Sequence, residues 1–297
     1  MASAFMQTSA LTKRYGTTVG IEDLSLSLQA GEVFGFLGPN GAGKTTTIRL
    51  LLGFLRPTSG GFSMFGQDIA WGDWRHRARI GFLPGDLRLP RRLTGHQLLG
   101  LLGRLHGQIN WSWVAHLVER LEVPLGHRIR TLSRGNLQKL GLIQALMHRP
   151  ELIILDEPTT ALDPLVQRTA LEVLRELRDQ GATVFFSSHH IDEVEKICDR
   201  VAFVRGGRLV GVEEIADLRS HLLARVEVRV TGEAPDLSSV EGVIRFEQRG
   251  ETLALMVRGR PAPLLARLAA LPVEEITWQA ARLEDHFFTY YERAGEP

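Results

Sequence analysis

Gly38-Pro39-Asn40-Gly41-Ala42-Gly43-Lys44-Thr45 lies between an apolar run at residues 32–37 and a helix-like stretch at residues 45–52. The pattern G-x-x-x-x-G-K-[ST] needs that setting, because a buried strand delivers the glycine-rich turn and the following helix presents its N-terminus to an anion. Glycines let consecutive backbone N–H groups converge on phosphate oxygens, Lys44 reaches the β and γ phosphates, and the Thr45 hydroxyl ligates Mg²⁺. The eight residues, with Thr46, form the candidate nucleotide-binding set, and Lys44 is also a candidate catalytic group.

Outward from this loop, short runs rich in Val, Ile, Leu and Phe alternate with longer helix-like stretches up to about residue 215. That alternation predicts an α/β domain with a mostly parallel central sheet. Strands are expected at residues 80–83, 152–155, 183–187 and 201–204. Helices at 98–105, 111–121 and 137–147 predict a mostly helical insertion over about residues 70–148. From Leu218 the texture shifts to shorter alternating runs at 225–230, 243–247 and 253–257, a helix near 263–270, a strand at 273–277 and a helix from Arg282. The expected organisation is a domain over residues 1–217 followed by a small α+β domain over 218–297.

The 297 residues carry a formal net charge of +1, so no strong field recruits nucleic acid or anionic lipid. Cys198 is the sole cysteine, which excludes an intrachain disulfide and a zinc site of several thiolates. It reads as a small buried residue suited to a reducing cytosol. The opening residues are mixed, with Lys13 and Arg14 after the apolar part, and give no export signal. The most hydrophobic stretches, 98–105 and 152–155, fall short of the roughly 20 apolar residues that span a bilayer. Direct membrane insertion is therefore not expected.

Leu152-Ile153-Ile154-Leu155-Asp156-Glu157 is an apolar strand ending in two carboxylates. Downstream of a phosphate loop, Asp156 fits the role of holding Mg²⁺ through its water shell. Glu157 fits that of polarising the water that attacks the γ-phosphate. Between the loop and this strand stands Leu132-Ser133-Arg134-Gly135-Asn136.

In that place it resembles the signature sequence of ATP-binding cassette (ABC) ATPases, whose usual form is Leu-Ser-Gly-Gly-Gln. Taken in order, the motifs from about Phe5 to Val212 resemble an ABC transporter ATPase, which implies a P-loop NTPase cassette fold, ATP with Mg²⁺, and ATP hydrolysis. The resemblance implies that Tyr15 stacks on adenine, its flat π face suiting a purine. It implies that Ser133 and Gly135 of one subunit close over the nucleotide of another, that Asp163 lies along the dimer seam, and that His189 hydrogen-bonds the γ-phosphate and orients the attacking water. His189 is preferred to His190 because it follows Ser187-Ser188 directly, and strand alternation would send the two rings opposite ways. A complete site then requires a homodimer sandwiching two ATP.

Three positions depart from the pattern. Arg134 either approaches the other subunit's phosphates as a guanidinium fork or points to solvent. Asn136 is expected to cap a helix starting at Leu137. Gly85 stands where the family has a glutamine that touches metal and water; Asp86 serves instead through a shifted backbone, water fills the gap, or the contact is dispensable. The stretch 81–99 and the ending Leu283-Glu284-Asp285-His286-Phe287-Phe288 resemble the single-cassette ATPase subunits of bacterial drug, lipid and polysaccharide exporters. That branch implies a separate polytopic membrane permease as partner and a peripheral place at the cytoplasmic face. The rival readings are a soluble ABC ATPase acting on ribosomes or nucleic acid, against which stand the single cassette and the absence of a basic stripe, and a hydrolysis-dead regulator.

Overall fold

The computed structural model describes residues 4–221, 223–231 and 235–279. The expected helix from Arg282 and the aromatics Phe287, Phe288, Tyr290 and Tyr291 lie outside them. The chain forms two compact units, residues 1–212 and 213–297.

The first unit runs β1 (Met6–Tyr15), β2 (Thr18–Leu24), β3 (Ser27–Leu28), β4 (Val33–Leu37), α1 (Lys44–Leu51), β5 (Ser59–Met64), β6 (Gln67–Asp68), β7 (Ile80–Leu83), α2 (Gly95–His106), α3 (Trp111–Leu121), α4 (Arg134–Leu146), β8 (Leu152–Asp156), α5 (Pro164–Asp179), β9 (Thr183–Ser188), α6 (Ile191–Ile197), β10 (Arg200–Arg205) and β11 (Arg208–Glu214). Six strands build the central sheet in the order β11-β10-β4-β9-β8-β7, and every pairing from β10 through β7 is parallel. β7 therefore belongs to the main sheet, although it falls within the stretch expected to be inserted. β4, β8 and β9 are buried at every residue, which is why each carries a continuous apolar run, with buried polar groups only at the ends of β8 and β9.

One face of this sheet meets α1 and a second, antiparallel sheet that pairs β2, β1, β5 and β6, with β3 against β1. Phe34, Phe36 and Phe185 fill the space between, with Phe36 and Phe185 ring centroids 5.1 Å apart. On the other face α6 crosses β4 so closely that a Cβ at Gly35 would lie 2.7 Å from Val194 Cγ1 and 3.0 Å from Cys198 Sγ. Cys198 is buried there, and desolvation, reinforced by Asp199, Glu193 and Glu32, pushes its thiol well above the ordinary range.

The second unit holds α7 (Ile215–His221), β12 (Leu223–Val230), β13 (Val243–Arg249), β14 (Thr252–Arg258), α8 (Ala262–Leu268) and β15 (Val273–Gln279). Its sheet order is β13-β14-β12-β15, antiparallel throughout. Val226, Val228, Leu253, Leu255 and Val257 alternate onto the face that meets Leu264 and Leu268 of α8.

A histidine pair lies where α2 approaches the turn after α4. The His106 and His148 rings stack at 4.2 Å, and His148 Nε2 lies 3.3 Å from the Ile80 carbonyl oxygen. Burial first, then the neighbouring imidazole, depresses His148 to about 4. The folded form thus binds fewer protons than the unfolded chain between that value and the ordinary 6.5, so stability falls as pH drops through this window. The expected result is a urea midpoint that declines from pH 6.5 to 4, and His148→Leu should flatten part of that slope. His76 and His106, also lowered by burial, act in the same direction, as do Glu22 and Glu151, whose carboxyls are held low by arginine partners.

Candidate functional site

Four neighbouring parallel strands end at one edge of the central sheet, and each hands a chemical group to it. β4 runs into Gly38, β9 into His189, β8 into Asp156 and Glu157, and β7 into Pro84 and Gly85. This is the carboxyl edge where open α/β sheets hold ligands. The tips are tied together: Gly38 N–H donates to the Ser188 carbonyl at 3.3 Å and Glu157 N–H to the Ser187 carbonyl at 3.1 Å.

The phosphate loop wraps Lys44. Its ammonium donates to the Gly38 and Pro39 carbonyls at 2.7 and 3.2 Å and lies 3.4 Å from Glu157 Oε1. A buried cation is thus held by two carbonyls and a carboxylate, oxygens whose place a phosphate oxygen can take. Gly43, the residue before α1, has φ +102°. A Cβ there would lie 2.6 Å from Ile21 Cγ2 and 2.8 Å from the Gly20 carbonyl, so glycine is required twice over. Gly20, Asn40, Gly41, Lys44, Thr46 and Glu157 line a cradle of about 200 Å³. Tyr15 stands at its rim, its ring edge and Thr46 flanking the place a Gly20 Cβ would occupy. The ring is 46% exposed and so open to stacking, with the Lys13 ammonium 5.3 Å from its centroid.

Asp156 is buried and uses both oxygens: Oδ2 accepts from Thr45 Oγ1 at 2.9 Å and Oδ1 from Ser187 Oγ at 2.6 Å. A hydroxyl and a carboxylate within hydrogen-bond reach of each other are the hard oxygen donors that fit Mg²⁺, which needs only one or two protein ligands beside phosphate and water. Among the described residues no group of three or more His, Cys, Asp or Glu offers a competing metal cage. Glu157 sits at φ +50°, a left-handed conformation that costs a non-glycine residue about 1–3 kcal/mol. Five other non-glycine residues share a positive φ, but only Glu157 combines it with a place at the carboxyl edge of the central sheet beside Lys44, a conformation of which sequence carries no trace. His189 Nδ1 lies 3.1 Å from Glu157 Oε1 without the alignment of a hydrogen bond, leaving that buried nitrogen free of a partner.

Two local expectations are corrected. β9 ends at Ser188, so alternation does not extend to the histidines; His189 occupies a bend, His190 precedes α6, and the two rings lie 3.9 Å apart rather than on opposite sides. α4 begins at Arg134, not Leu137, and its cap is Ser133, whose Oγ accepts from Asn136 N–H at 3.2 Å. Asn136 is thus capped rather than capping. Because the cap consumes a lone pair of Ser133 Oγ, its proton stays available to an outside anion. Arg134 is exposed on the first turn.

Gly135 approaches the loop after β8: a Cβ there would lie 3.0 Å from the Ala161 carbonyl. Gln138, buried one turn on, donates to the Pro158 carbonyl at 3.0 Å. Asp163 caps α5 through Leu165 and Val166 N–H. At Gly85 a Cβ would lie 3.4 Å from Asp156 Oδ2, in ordinary contact, so a longer side chain there would project at the carboxylate. Its absence leaves a cleft of about 510 Å³ running from Asp156 and Glu157 past Gly85 to Phe54 and Phe82. Asp86 lines this cleft too, but its carboxylate is 76% exposed and paired with Arg88 at 2.8 Å.

The model of the family described as ABC transporter matches residues 21–160, and that described as AAA domain, putative AbiEii toxin, Type IV TA system matches residues 126–195. Nod factor export ATP-binding protein I of Cupriavidus pinatubonensis is 35% identical over 295 residues, covering 96% of this chain and 90% of the relative. The chain belongs to the ABC transporter ATP-binding family. It is an ATPase of that family. The linearmycin resistance ATP-binding protein of Bacillus subtilis is 35% identical over 231 residues, 76% of this chain and 74% of the relative. A solved ATP-binding subunit of an ABC transporter superposes with a TM-score of 0.65 at 28% identity, over 72% of this chain and 92% of that one.

Proposed function

We propose that this ABC ATPase dimerises around two ATP and powers export through a separate polytopic permease, at whose cytoplasmic face it sits. The observation that carries the dimer is a division of the parts. Thr45 and Glu157 line both the cradle, which adds Lys44, and the cleft, which adds Asp156, whereas Ser133, Gly135 and Asp163 line neither. Within one subunit the capped N-terminus of α4 has no nucleotide to serve. Across a head-to-tail pair it would offer a donor hydroxyl and helix N–H groups to the γ-phosphate of the facing subunit.

In this reading Tyr15 stacks on adenine, residues 38–46 hold the phosphates, and Lys44 exchanges Glu157 for phosphate oxygen when ATP enters. Thr45 and Asp156 would hold Mg²⁺, which neutralises charge developing on the β and γ oxygens. Glu157, released from Lys44, polarises the attacking water while His189 orients it. Export is supported by the names of the two relatives, and the match to the Nod factor export protein extends over 96% of this chain. Among the described residues no helix is long and apolar enough to cross a membrane, and this reading assigns the pore to a partner.

Purification from detergent-solubilised membranes tests the assignment. A co-purifying polytopic protein, with ATPase activity rising on its reconstitution, is the expected outcome. Ribosomes or nucleic acid in its place would overturn the transport reading.

A further inference from the structure

The segments that carry Glu157 and His189 are joined by a side chain from a third element. Glu193 lies in the first turn of α6 and spends each carboxylate oxygen on a different segment. Oε1 accepts from Thr159 Oγ1 at 2.5 Å, and Oε2 accepts from Ser188 Oγ at 2.7 Å. Both hydroxyl residues are 1% exposed. Thr159 stands two residues after Glu157; Ser188 is the last residue of β9 and immediately precedes His189.

The direction of these bonds matters. A carboxylate is an acceptor only, so it draws both hydroxyl protons toward itself; the other acceptor near Ser188 Oγ, the His190 carbonyl, is farther at 3.3 Å. The Ser188 oxygen then turns a lone pair to the His190 backbone N–H at 2.9 Å, which sets the bend on which His189 sits. On the other side Thr159 is held again through its carbonyl, which accepts from Gln167 Nε2 at 3.2 Å. The loop carrying Thr159 continues to Ala161, the residue against which Gly135 packs. An ordinary first-turn acid would neutralise helix N–H groups; here both oxygens face hydroxyls of neighbouring segments instead.

We infer that Glu193 is a positioning residue: by tying Thr159 to Ser188 it fixes the separation of Glu157 and His189 and links it to the loop that contacts the α4 N-terminus. The inference rests on the reading of Glu157 and His189 as the hydrolytic pair. Glu193 hydrogen-bonds Thr159 and Ser188 through their hydroxyls, whereas Ser188 meets the phosphate loop through its backbone carbonyl, which accepts from Gly38 N–H and is held by β9. Loss of Glu193 should therefore misplace the groups that act on water far more than it weakens ATP binding.

Steady-state ATPase kinetics on the full chain test this. Glu193→Ala should lower kcat about 10-fold or more with KM for ATP within about twofold, the split expected of an interaction that matters after binding. Glu193→Gln keeps one acceptor for Thr159 and an amide that can donate to Ser188, and should recover kcat to within about threefold of the parent. Parent-like kcat in Glu193→Ala, a parallel rise in KM, or a Gln variant no better than Ala would each overturn the inference. If Glu193→Ala does not fold, Thr159→Val and Ser188→Ala each remove a single hydroxyl and carry the test: kcat reduced at constant KM supports it, and parent-like kinetics in both refutes it. Glu157→Gln run alongside separates the two claims. Should that variant hydrolyse ATP at the parental rate, the hydrolytic pair itself is misassigned; should it be inactive while Glu193→Ala is normal, only the inference about Glu193 falls.

Discussion

Glu157→Gln is expected to abolish turnover while strengthening the hold on ATP. The substitution keeps side-chain length and the backbone at φ +50°, but removes the charge that polarises water. Loss of a positioned general base costs on the order of 100- to 10,000-fold in rate. The carboxylate also lies 3.4 Å from the Lys44 ammonium and would face the γ-phosphate across it. Neutralising it frees Lys44 and removes a repulsion, so nucleotide binds at least as well and the ATP-closed dimer accumulates. Light scattering with Mg²⁺-ATP should then show a dimer that the parent forms only transiently. A variant that hydrolyses at the parental rate, or stays monomeric with ATP and its membrane partner present, contradicts the site as drawn.

Gly43→Ala should be the more damaging change for binding, although it adds one carbon. Any β-carbon meets both the backbone of Gly20 and the side chain of Ile21, and the φ of +102° costs a non-glycine residue about 1–3 kcal/mol by itself. Neither obstacle is a flexible side-chain tip. The loop has to open away from β2, taking the Lys44 and Thr45 N–H groups off the phosphate. ATP affinity should fall about 100-fold or more, since each 1.4 kcal/mol is tenfold, and the thermal midpoint should drop as well. Fluorescent-nucleotide titration and calorimetry check the two effects separately. An affinity within threefold of the parent would show that the cradle tolerates the shift.

What could be read from sequence was what repeats locally or is fixed by one residue's chemistry. β4, β8 and β9 announce themselves because burial on both faces demands apolar residues along their centres, and the polar groups at their ends are named by the loop and strand they follow. The antiparallel sheet of the first unit is not legible. Its strands carry polar residues, its registers shift between Leu11, Lys13 and Arg14, and β1 pairs with β5 across more than fifty residues, as in Met6 with Met64. The start of α4 is hidden in sequence because glycine and asparagine disfavour helix, Gly135 most strongly, and the good helix former Arg134 stands alone before them. A capping serine outweighs them. Glu193 looked like one more charge on an amphipathic helix, since only tertiary structure brings two hydroxyls to it.

The buried thiol beneath β4 gives the molecule a practical property. Cys198 is the sole cysteine, lies 6% exposed under Gly35, and holds its proton well above neutral pH. Thiolate is the nucleophile, so a maleimide or methanethiosulfonate reagent has little to attack while the chain is folded. A cysteine introduced on the surface therefore becomes a unique labelling handle without engineering a thiol-free background. Spin or fluorescent probes placed that way can report the distance between two subunits as they close.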